Sequence, residues 1–498
     1  MKRFFSITLP ALLAGACLRL FFVLKFPATS GDTVLYDQLA RNWLKLGKLA
    51  MDVNGQPTPV DLRMPGYPAF LAVVYAITGP TGDAARLPAM LAQIAVDLAT
   101  CVTIAVLAAL LARLADHEAK ANRAYITALW LAALCPFTAN YVAVNLTEVW
   151  AVFLTALAFL LLVMLASQAC ADFVPAMPGL FRQRGLWKLA ALAGFVVGVG
   201  TLFRPETPLL LLTTFAVLGY WMVRRGRTRR WLQLCTVMVI ACGVALLPWI
   251  IRNAVTLHEF QPLAPKDATL PSEVDPKGFL AWEKTWLWRM RDAYMVTWKL
   301  NDEEIQVDDI PASAFDNEDE RDRVAMVLER YNDETTWTAE EDAMFAQLAS
   351  ERTARHPLRT YLWIPLRRTL VIWFSPRIEL LPISGHVFPL AYQAEEDPVD
   401  QRMTILIFLV NVLYVGLGLW GAWKLWRYAS AQAAVAVLIL YIIVRTAFLT
   451  TMETPEPRYV LVCFPALIAL GAQVMWREKA RDRAEGPKAK PAPPSART

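Results

Sequence analysis

Long apolar runs divide the chain, at about Phe4–Phe26, Leu87–Ala112, Ala124–Tyr141, Val149–Ser167, Trp187–Phe203, Thr207–Val223, Trp231–Ile251, Met403–Trp423, Ala431–Leu449 and Tyr459–Trp476. A helix needs about 20 apolar residues to cross a bilayer, so the pattern predicts an all-α polytopic membrane protein with about ten transmembrane helices. Two more apolar stretches are ambiguous by length alone: Gly66–Thr78 is short, and Tyr361–Phe374 carries Arg367 and Arg368 at its centre. After the first run, Val34, Leu35, Leu39, Trp43, Leu44 and Leu46 recur at helical spacing and give one apolar face. The segment Asn253–Arg402 breaks the rhythm. It is polar and acidic over Asn301–Asp342, with Trp282, Trp286, Trp288, Trp298 and Trp337 among the charges, and reads as a small, mostly helical insertion. The tail Arg477–Thr498, rich in Lys, Arg, Pro and Ala, is expected to be disordered.

Charge decides the ambiguous stretches. Lys and Arg favour cytoplasmic loops beside spans. The basic segments Arg113–Arg123, Arg182–Lys188, Arg224–Arg230, Lys424–Arg427 and the tail share the side of Lys2 and Arg3 only if Gly66–Thr78 and Tyr361–Phe374 do not cross. Both are therefore expected to lie at the outer interface, leaving both termini cytoplasmic. The expected organisation is a membrane module over 1–252 with a first outer loop at 27–88, an outer insertion over 253–402, C-terminal helices over 403–476 and the tail 477–498. The outer face then collects that loop, the turn Asn140–Glu148, the bend Arg204-Pro-Glu206, the insertion and the turn Met452–Arg458.

Composition agrees. The chain is 56% hydrophobic and 19% charged, against about 25% charged in soluble domains. Seven cysteines lie in or beside apolar runs, without metal-ligand or disulfide-framework spacing, and read as packing residues. The four histidines are scattered. Met1-Lys2-Arg3 before an apolar run mimics a signal peptide, but the run is long and has no clean small-x-small site, so a retained helix is expected. No internal repeat and no Walker, Rossmann or zinc motif is visible, and no nucleic-acid partner is expected.

Several polar residues carry two readings. Asp32 opens the amphipathic helix, where an Asp caps free N–H groups. Glu148, in Asn145-Leu-Thr-Glu148, suits the first turn of a helix. Arg63, Arg204, Arg252 and Arg458 gather on the outer side, where single arginines anchor by snorkelling and several converging guanidiniums suit phosphate oxygens. Asp97 and Gln93 fall inside the second run, with Arg19 and Arg445 in the first and ninth. Charges there are costly and suggest either a buried pair or function.

The order of these features resembles a family. Ser30-Gly-Asp-Thr-Val-Leu-Tyr-Asp37 followed by Arg63-Met-Pro-Gly-Tyr-Pro68, then Trp249-Ile-Ile-Arg-Asn253 and Glu456-Pro-Arg-Tyr459, resemble the GT-C glycosyltransferases, in the branch of protein mannosyltransferases and aminoarabinose transferases. The resemblance implies transfer of a sugar from a polyprenyl-phosphate carrier to a glycan, lipid or protein acceptor. The expected setting is a bacterial inner membrane, with the site facing the periplasm among membrane lipids. It implies Asp32 and Glu148 as catalytic carboxylates, Arg63, Arg204, Arg252 and Arg458 as donor-phosphate ligands, and Tyr36, Tyr67 and Tyr459 as residues shaping the substrate site. Asp37 would point elsewhere on its helix. No cofactor is required. A divalent metal is compatible with the chemistry, but no motif supports one. The rivals are a ligase that moves a whole glycan from its carrier and, from another class, a secondary transporter. Transporters often show repeated halves and interrupted midplane helices, whereas the polar residues here gather at one interface.

Overall fold

The structure, a computed structural model, describes residues 2–79, 85–115, 118–170, 185–265, 273–385, 387 and 397–474. The tail Arg477–Thr498 and Arg182 of the second basic loop lie outside them. The chain opens with α1 (Lys2–Lys25), α2 (Gly31–Leu46), a hairpin of β1 (Ala50–Val53) and β2 (Gln56–Pro59), and α3 (Gly66–Thr78). The next helices are α4 (Arg86–Leu114), α5 (Glu118–Ala133), α6 (Pro136–Ala139), α7 (Glu148–Cys170), α8 (Leu186–Thr201), α9 (Leu209–Val223) and α10 (Thr228–Thr256). The insertion holds α11 (Lys277–Lys284), α12 (Met290–Met295), α13 (Glu318–Glu334) and α14 (Ala339–Arg355). It is followed by α15 (Ile364–Phe374), α16 (Pro398–Trp426), α17 (Ala429–Thr450) and α18 (Phe464–Gly471).

Six of the apolar runs form helices long and apolar enough to cross a membrane: Thr8–Lys25 within α1, and α4, α7, α10, α16 and α17. Their outward faces stay apolar and open, as with Leu13 and Leu24 on α1, Ile240 and Val244 on α10, and Leu406 and Leu413 on α16. Such continuous apolar surface suits lipid rather than water. The chain is an all-α integral membrane protein.

The other four runs differ from full spans. Lys120–Ala133 and Pro136–Ala143 meet at a 50° bend, where Pro136 has no N–H to donate and its ring clashes with a preceding turn. At 16 and 15 residues, α8 and α9 fall short of the roughly 20 expected of a straight span. The last run starts as a 3-10 turn over Pro457–Cys463 and becomes α-helical at Phe464, with a proline near the start of each piece.

Close helix contacts rest on small residues. A Cβ at Gly194 or Gly198 of α8 would meet the Met238 or Cys242 carbonyl oxygen of α10 at 2.2 or 2.5 Å. The intramembrane charges are paired. Arg19 of α1 bonds Asp97 of α4 at 2.6 Å and the Ala133 carbonyl of α5 at 2.7 Å, joining three helices. Gln93 of α4 accepts from the Tyr67 hydroxyl at 2.8 Å and donates to the Val142 and Val144 carbonyls.

Between α2 and α3 the chain forms a β-hairpin that the hydrophobic pattern does not predict. Asn54-Gly55 turns it with φ of 51° and 77°, the left-handed pair favoured in two-residue hairpins. The face of α2 also divides. Tyr36, Leu39 and Ala40 are buried against the protein, while Val34, Leu44 and Leu46 are exposed.

The insertion has its own core of Phe279, Trp282, Trp286, Tyr331, Trp337 and Phe345. Asn317 and Thr338 cap α13 and α14 through side-chain oxygens. Arg368 of α15 fastens the insertion to the membrane module, donating to the Leu287 carbonyl at 2.8 Å and the Thr450 carbonyl at 3.3 Å. Lys284 adds an ion pair to Glu453 at 2.8 Å. Beside this joint Glu283 is buried, bonded by the Thr297 hydroxyl at 2.6 Å. Burial, aided by Glu453 and opposed by that hydroxyl and by Arg368, pushes its pKa up to about 8. Folded protein thus holds one more proton than unfolded protein between 4.5, the ordinary value, and about 8, and stability falls as pH rises through that window. Glu283→Gln is expected to remove this slope, measured as thermal midpoints of the full chain from about pH 5 to about pH 9. A slope unchanged in the variant would mean that Glu283 is ionised in the fold.

Candidate active site

Ser30, in extended backbone (φ −133°, ψ 169°), holds the cap position of α2, and Asp32 lies in the helix's first turn. The capping role read for Asp32 therefore belongs to Ser30. The Asp32 carboxylate turns to two arginines instead, accepting from Arg63 at 2.7 Å and from Arg458 at 3.2 Å. Asp37 points away, to Tyr75 and Arg41 at 2.7 Å each.

Two features bring this helix against the other segments. Ala28 donates to the Ala143 carbonyl at 2.9 Å, laying the segment between α1 and α2 along the turn before Glu148. Gly66, in Arg63-Met-Pro-Gly-Tyr-Pro68, donates to the Leu202 carbonyl at 2.7 Å, and a Cβ there would stand 2.6 Å from the same oxygen. Only glycine lets the loop come this close to the turn carrying Arg204. Gly66→Ala is expected to cost about 1–3 kcal/mol by overpacking and to move Arg63 off Asp32. A thermal melt and a donor-binding assay check this, and a variant equal to wild type in both would show that the loop yields freely.

The charged groups form an alternating chain. Arg63 pairs with Asp32, Asp32 with Arg458, and Arg458 reaches Glu148 at 3.7 Å. Glu148 holds Arg204 at 2.5 Å, Arg204 lies 4.0 Å from Glu206, and Glu206 pairs with Arg445 at 2.9 Å. Glu456 binds Arg458 from the side. Four guanidiniums thus balance four carboxylates, and the two ends differ. Side chains of Asp32 and Arg63 are 24% and 25% exposed, while that of Arg445 is 2% exposed. The Asp32–Arg63 end is the one a ligand can reach.

Burial raises the Asp32 carboxyl pKa, but Arg63, Arg458 and Arg204 outweigh it and hold it below the usual carboxylate range. Glu206 is likewise held low, since Arg445 and Arg204 overcome its burial. Burial, then the charge of Asp32, pushes the Tyr36 hydroxyl up to about 12. Tyr36 packs edge-on against Tyr67 with ring centroids 5.1 Å apart. Tyr459 sits under Arg204 and Arg458 at 4.9 and 5.3 Å and donates its hydroxyl to Glu456 at 2.9 Å. Three buried polar atoms near the middle of the chain, Glu148 Oε2 and both side-chain atoms of Asn145, have no protein partner.

Of the residues singled out from the sequence, Asp32, Arg63, Glu148, Arg204, Arg458 and Tyr459 come together, with Tyr36 beside them. Tyr67 stands one layer behind, bonded to Gln93. Arg252 is engaged elsewhere, donating to the Leu49 carbonyl at 2.7 Å and the Val60 carbonyl at 2.9 Å beside the hairpin. Its guanidinium edges a cleft of about 310 Å³ walled by Trp43, Leu49, Leu202 and Trp249. Sequence reasoning named Glu206, Arg445 and Glu456 but left all three out of the site. The usable signal was the mirrored pair Arg204-Pro-Glu206 and Glu456-Pro-Arg458, each fixing opposite charges around a proline. Because arginines stand between the carboxylates, no three His, Cys, Asp or Glu among the described residues are placed to hold a metal ion.

No protein-family profile and no curated protein sequence matches the chain. Among solved structures it is similar to the oligosaccharyltransferase AglB of Archaeoglobus fulgidus in complex with an inhibitory peptide and a dolichol-phosphate. The match has 12% identity and a TM-score of 0.49 over 93% of this chain and 50% of that one. A second Archaeoglobus fulgidus oligosaccharyltransferase structure, tethered to an acceptor peptide, gives 12% identity and 0.47 over 93% and 49%. ArnT from Cupriavidus metallidurans bound to undecaprenyl phosphate gives 14% identity and 0.37 over 92% and 77%. The chain spans about half the length of the oligosaccharyltransferase chains it matches.

Proposed function

We propose that this chain is a glycosyltransferase that moves a sugar from a polyprenyl-phosphate carrier to an acceptor at the outer face of the membrane. The observation that carries the reading is the alternating arginine–carboxylate chain, open at Asp32 and Arg63. Guanidinium forks suit phosphate oxygens, and fixed cations in a site of restricted water stabilise the charge that develops on a departing phosphate. Arg63 and Arg458 are placed to meet that phosphate, with Arg204 holding Glu148 behind them. The acceptor oxygen attacks the anomeric carbon as the bond from that carbon to the phosphate oxygen breaks. The phosphate leaves with the electron pair, and the acceptor proton passes to Asp32. Attack opposite the leaving group inverts the anomeric centre. The cleft beside Arg252 offers apolar walls to the first units of the carrier's chain.

In this reading the site faces the periplasm, both termini are cytoplasmic, and α3 and α15 lie at the outer interface. Exposed Val73 and Ile77 on α3, and Leu366 and Leu370 on α15, support that placement. Reporters at Arg227 and Lys490 are expected inside and one at Asp319 outside. An outside reading at Arg227 would reverse the geometry of the site. The functional test is the envelope glycan profile of cells lacking the chain. One sugar substituent should disappear while its loaded carrier accumulates. An unchanged profile without carrier accumulation would refute the assignment, and accumulation of a carrier bearing a whole glycan would favour the ligase.

A further inference from the structure

Between α9 and α10 the segment Arg224-Arg-Gly-Arg-Thr-Arg-Arg230 puts five arginines in seven residues. It is a folded turn: Gly226 adopts a φ of 69°, and the Arg227 N–H donates to the Met222 carbonyl at 2.9 Å. Arg224 lies over the Tyr220 ring at 4.2 Å and donates to its hydroxyl at 2.7 Å. Arg225 donates to the Cys170 carbonyl at the end of α7. Because α7 begins at Glu148, in the alternating charged chain, this bond fixes the turn at the opposite end of that helix. The 23 residues of α7 rise about 35 Å, enough to cross the roughly 30 Å hydrocarbon core of a bilayer. The turn therefore lies at the membrane face remote from the charged chain.

Its flanks set its depth. Tyr220 and Val223 at the end of α9 and Leu232 at the start of α10 are exposed, and the half-buried Trp231 donates its Nε1 hydrogen to the Phe215 carbonyl at 3.0 Å. Such a mixture of apolar side chains and amphipathic rings suits the boundary between hydrocarbon and head groups. Elsewhere in the membrane module Arg19, Arg63, Arg204, Arg445 and Arg458 each meet a carboxylate. In the turn, Arg224, Arg227 and Arg229 are exposed and Arg230 is half-buried, and none of these four makes an ion pair among the described residues.

We infer that this turn is a binding site for the head group of an anionic phospholipid, in the leaflet remote from the proposed active site. Such a site is independent of sugar transfer. A phosphodiester offers oxygens that a guanidinium fork meets in pairs, and a zwitterionic head group brings its own cation to the phosphate, which the arginines repel. Arginines in loops also direct how a chain inserts, but insertion needs charge alone. Here the fastening of Arg224 to Tyr220 and of Arg225 to α7 holds the turn in one shape, which lowers the ordering cost of binding a head group.

The test titrates the full chain, purified in detergent, with dioleoyl phosphatidylglycerol and with dioleoyl phosphatidylcholine, and counts bound lipid by native mass spectrometry. Phosphatidylglycerol should bind about tenfold tighter or more. Arg224→Gln, Arg227→Gln and Arg229→Gln should each weaken it about fivefold, with phosphatidylcholine binding and the thermal melt close to wild type. Arg123→Gln, which removes an exposed arginine of α5 outside the turn, should leave it unchanged. In wild type, phosphatidylglycerol should slow amide hydrogen exchange over residues 220–232 more than phosphatidylcholine does. Equal affinity for the two lipids, wild-type binding by the turn variants, or protection confined to other segments would overturn the site. A loss at Arg123→Gln as large as in the turn would overturn it too, leaving only a diffuse attraction between positive charge and an anionic surface.

Discussion

Asp32→Asn is expected to lower turnover by about 10²–10⁴-fold in a protein that still folds, with some drop in melting temperature from the lost pairing to Arg63 and Arg458. Because Ser30 holds the cap of α2, the substitution leaves the helix start intact. Asn keeps the size and hydrogen-bonding reach of Asp but removes the negative charge between Arg63 and Arg458. In the proposed mechanism, a carboxylate held below its usual pKa is a weak base, so it would accept a proton late, as the acceptor oxygen bonds to the sugar and becomes acidic. Until then its charge would keep two guanidiniums aimed at the phosphate. The depressed pKa also fixes the sign of the acid dependence. Stability from ionised Asp32 is complete above the ordinary value of 3.8 and is lost as pH falls through the lower folded value. Asp32 should therefore contribute no loss of activity between about pH 7 and about pH 5. Initial rates at saturating carrier, beside a thermal melt, decide the matter. Wild-type turnover in a well-folded Asp32→Asn protein would leave Glu148 as the remaining carboxylate of the proposed pair.

The second large effect is expected at Arg458, which touches Asp32, Glu148 and Glu456 together. Arg458→Ala leaves three carboxylates facing one another, two of them, Glu148 and Glu456, buried. Removing one partner of a buried ion pair costs about 3–5 kcal/mol, so a marked drop in melting temperature should accompany loss of carrier binding. Arg458→Lys restores the charge but not the fork. It should recover most of the stability and only part of the binding, a loss of about 1.5–3 kcal/mol per phosphate contact, or roughly ten- to hundredfold. Equal recovery of both would make Arg458 a structural counter-ion. Arg252→Ala provides the contrast. Its guanidinium holds the Leu49 and Val60 carbonyls, so the hairpin should loosen while the alternating chain stays assembled.

Much of the frame was legible because a bilayer imposes a simple rule on composition: apolar runs become helices, and all ten did, in whole or in part. Their lengths were less legible. Pro136, Pro457 and Pro465 sit inside or beside apolar runs, and hydropathy does not register the hydrogen bonds they remove. The hairpin was legible in principle, from Asn54-Gly55, but its strands are four residues each and QPTP has little β character. The charge cluster was legible where charge lay in a motif, as with Asp32, Arg63, Glu148 and Arg458. It was not legible where pairing joined distant positions. Glu206 meets Arg445 across 239 residues, and no local pattern announces which of Arg19 and Arg445 takes Asp97. Arg252 shows the converse: a charge at a motif position can be spent on backbone carbonyls, which only the folded loop reveals.

The most direct test follows the carrier itself. Purified chain in nanodiscs is given polyprenyl-phosphate-linked radiolabelled sugars and a cell-envelope extract as acceptor source, and label is followed out of the organic-soluble carrier. The expected result is time-dependent transfer of label to an envelope acceptor, matched by free polyprenyl phosphate and abolished by Asp32→Asn. Failure of any loaded carrier to bind or lose its sugar, or equal transfer by wild type and by well-folded Asp32→Asn and Arg458→Ala proteins, would contradict it.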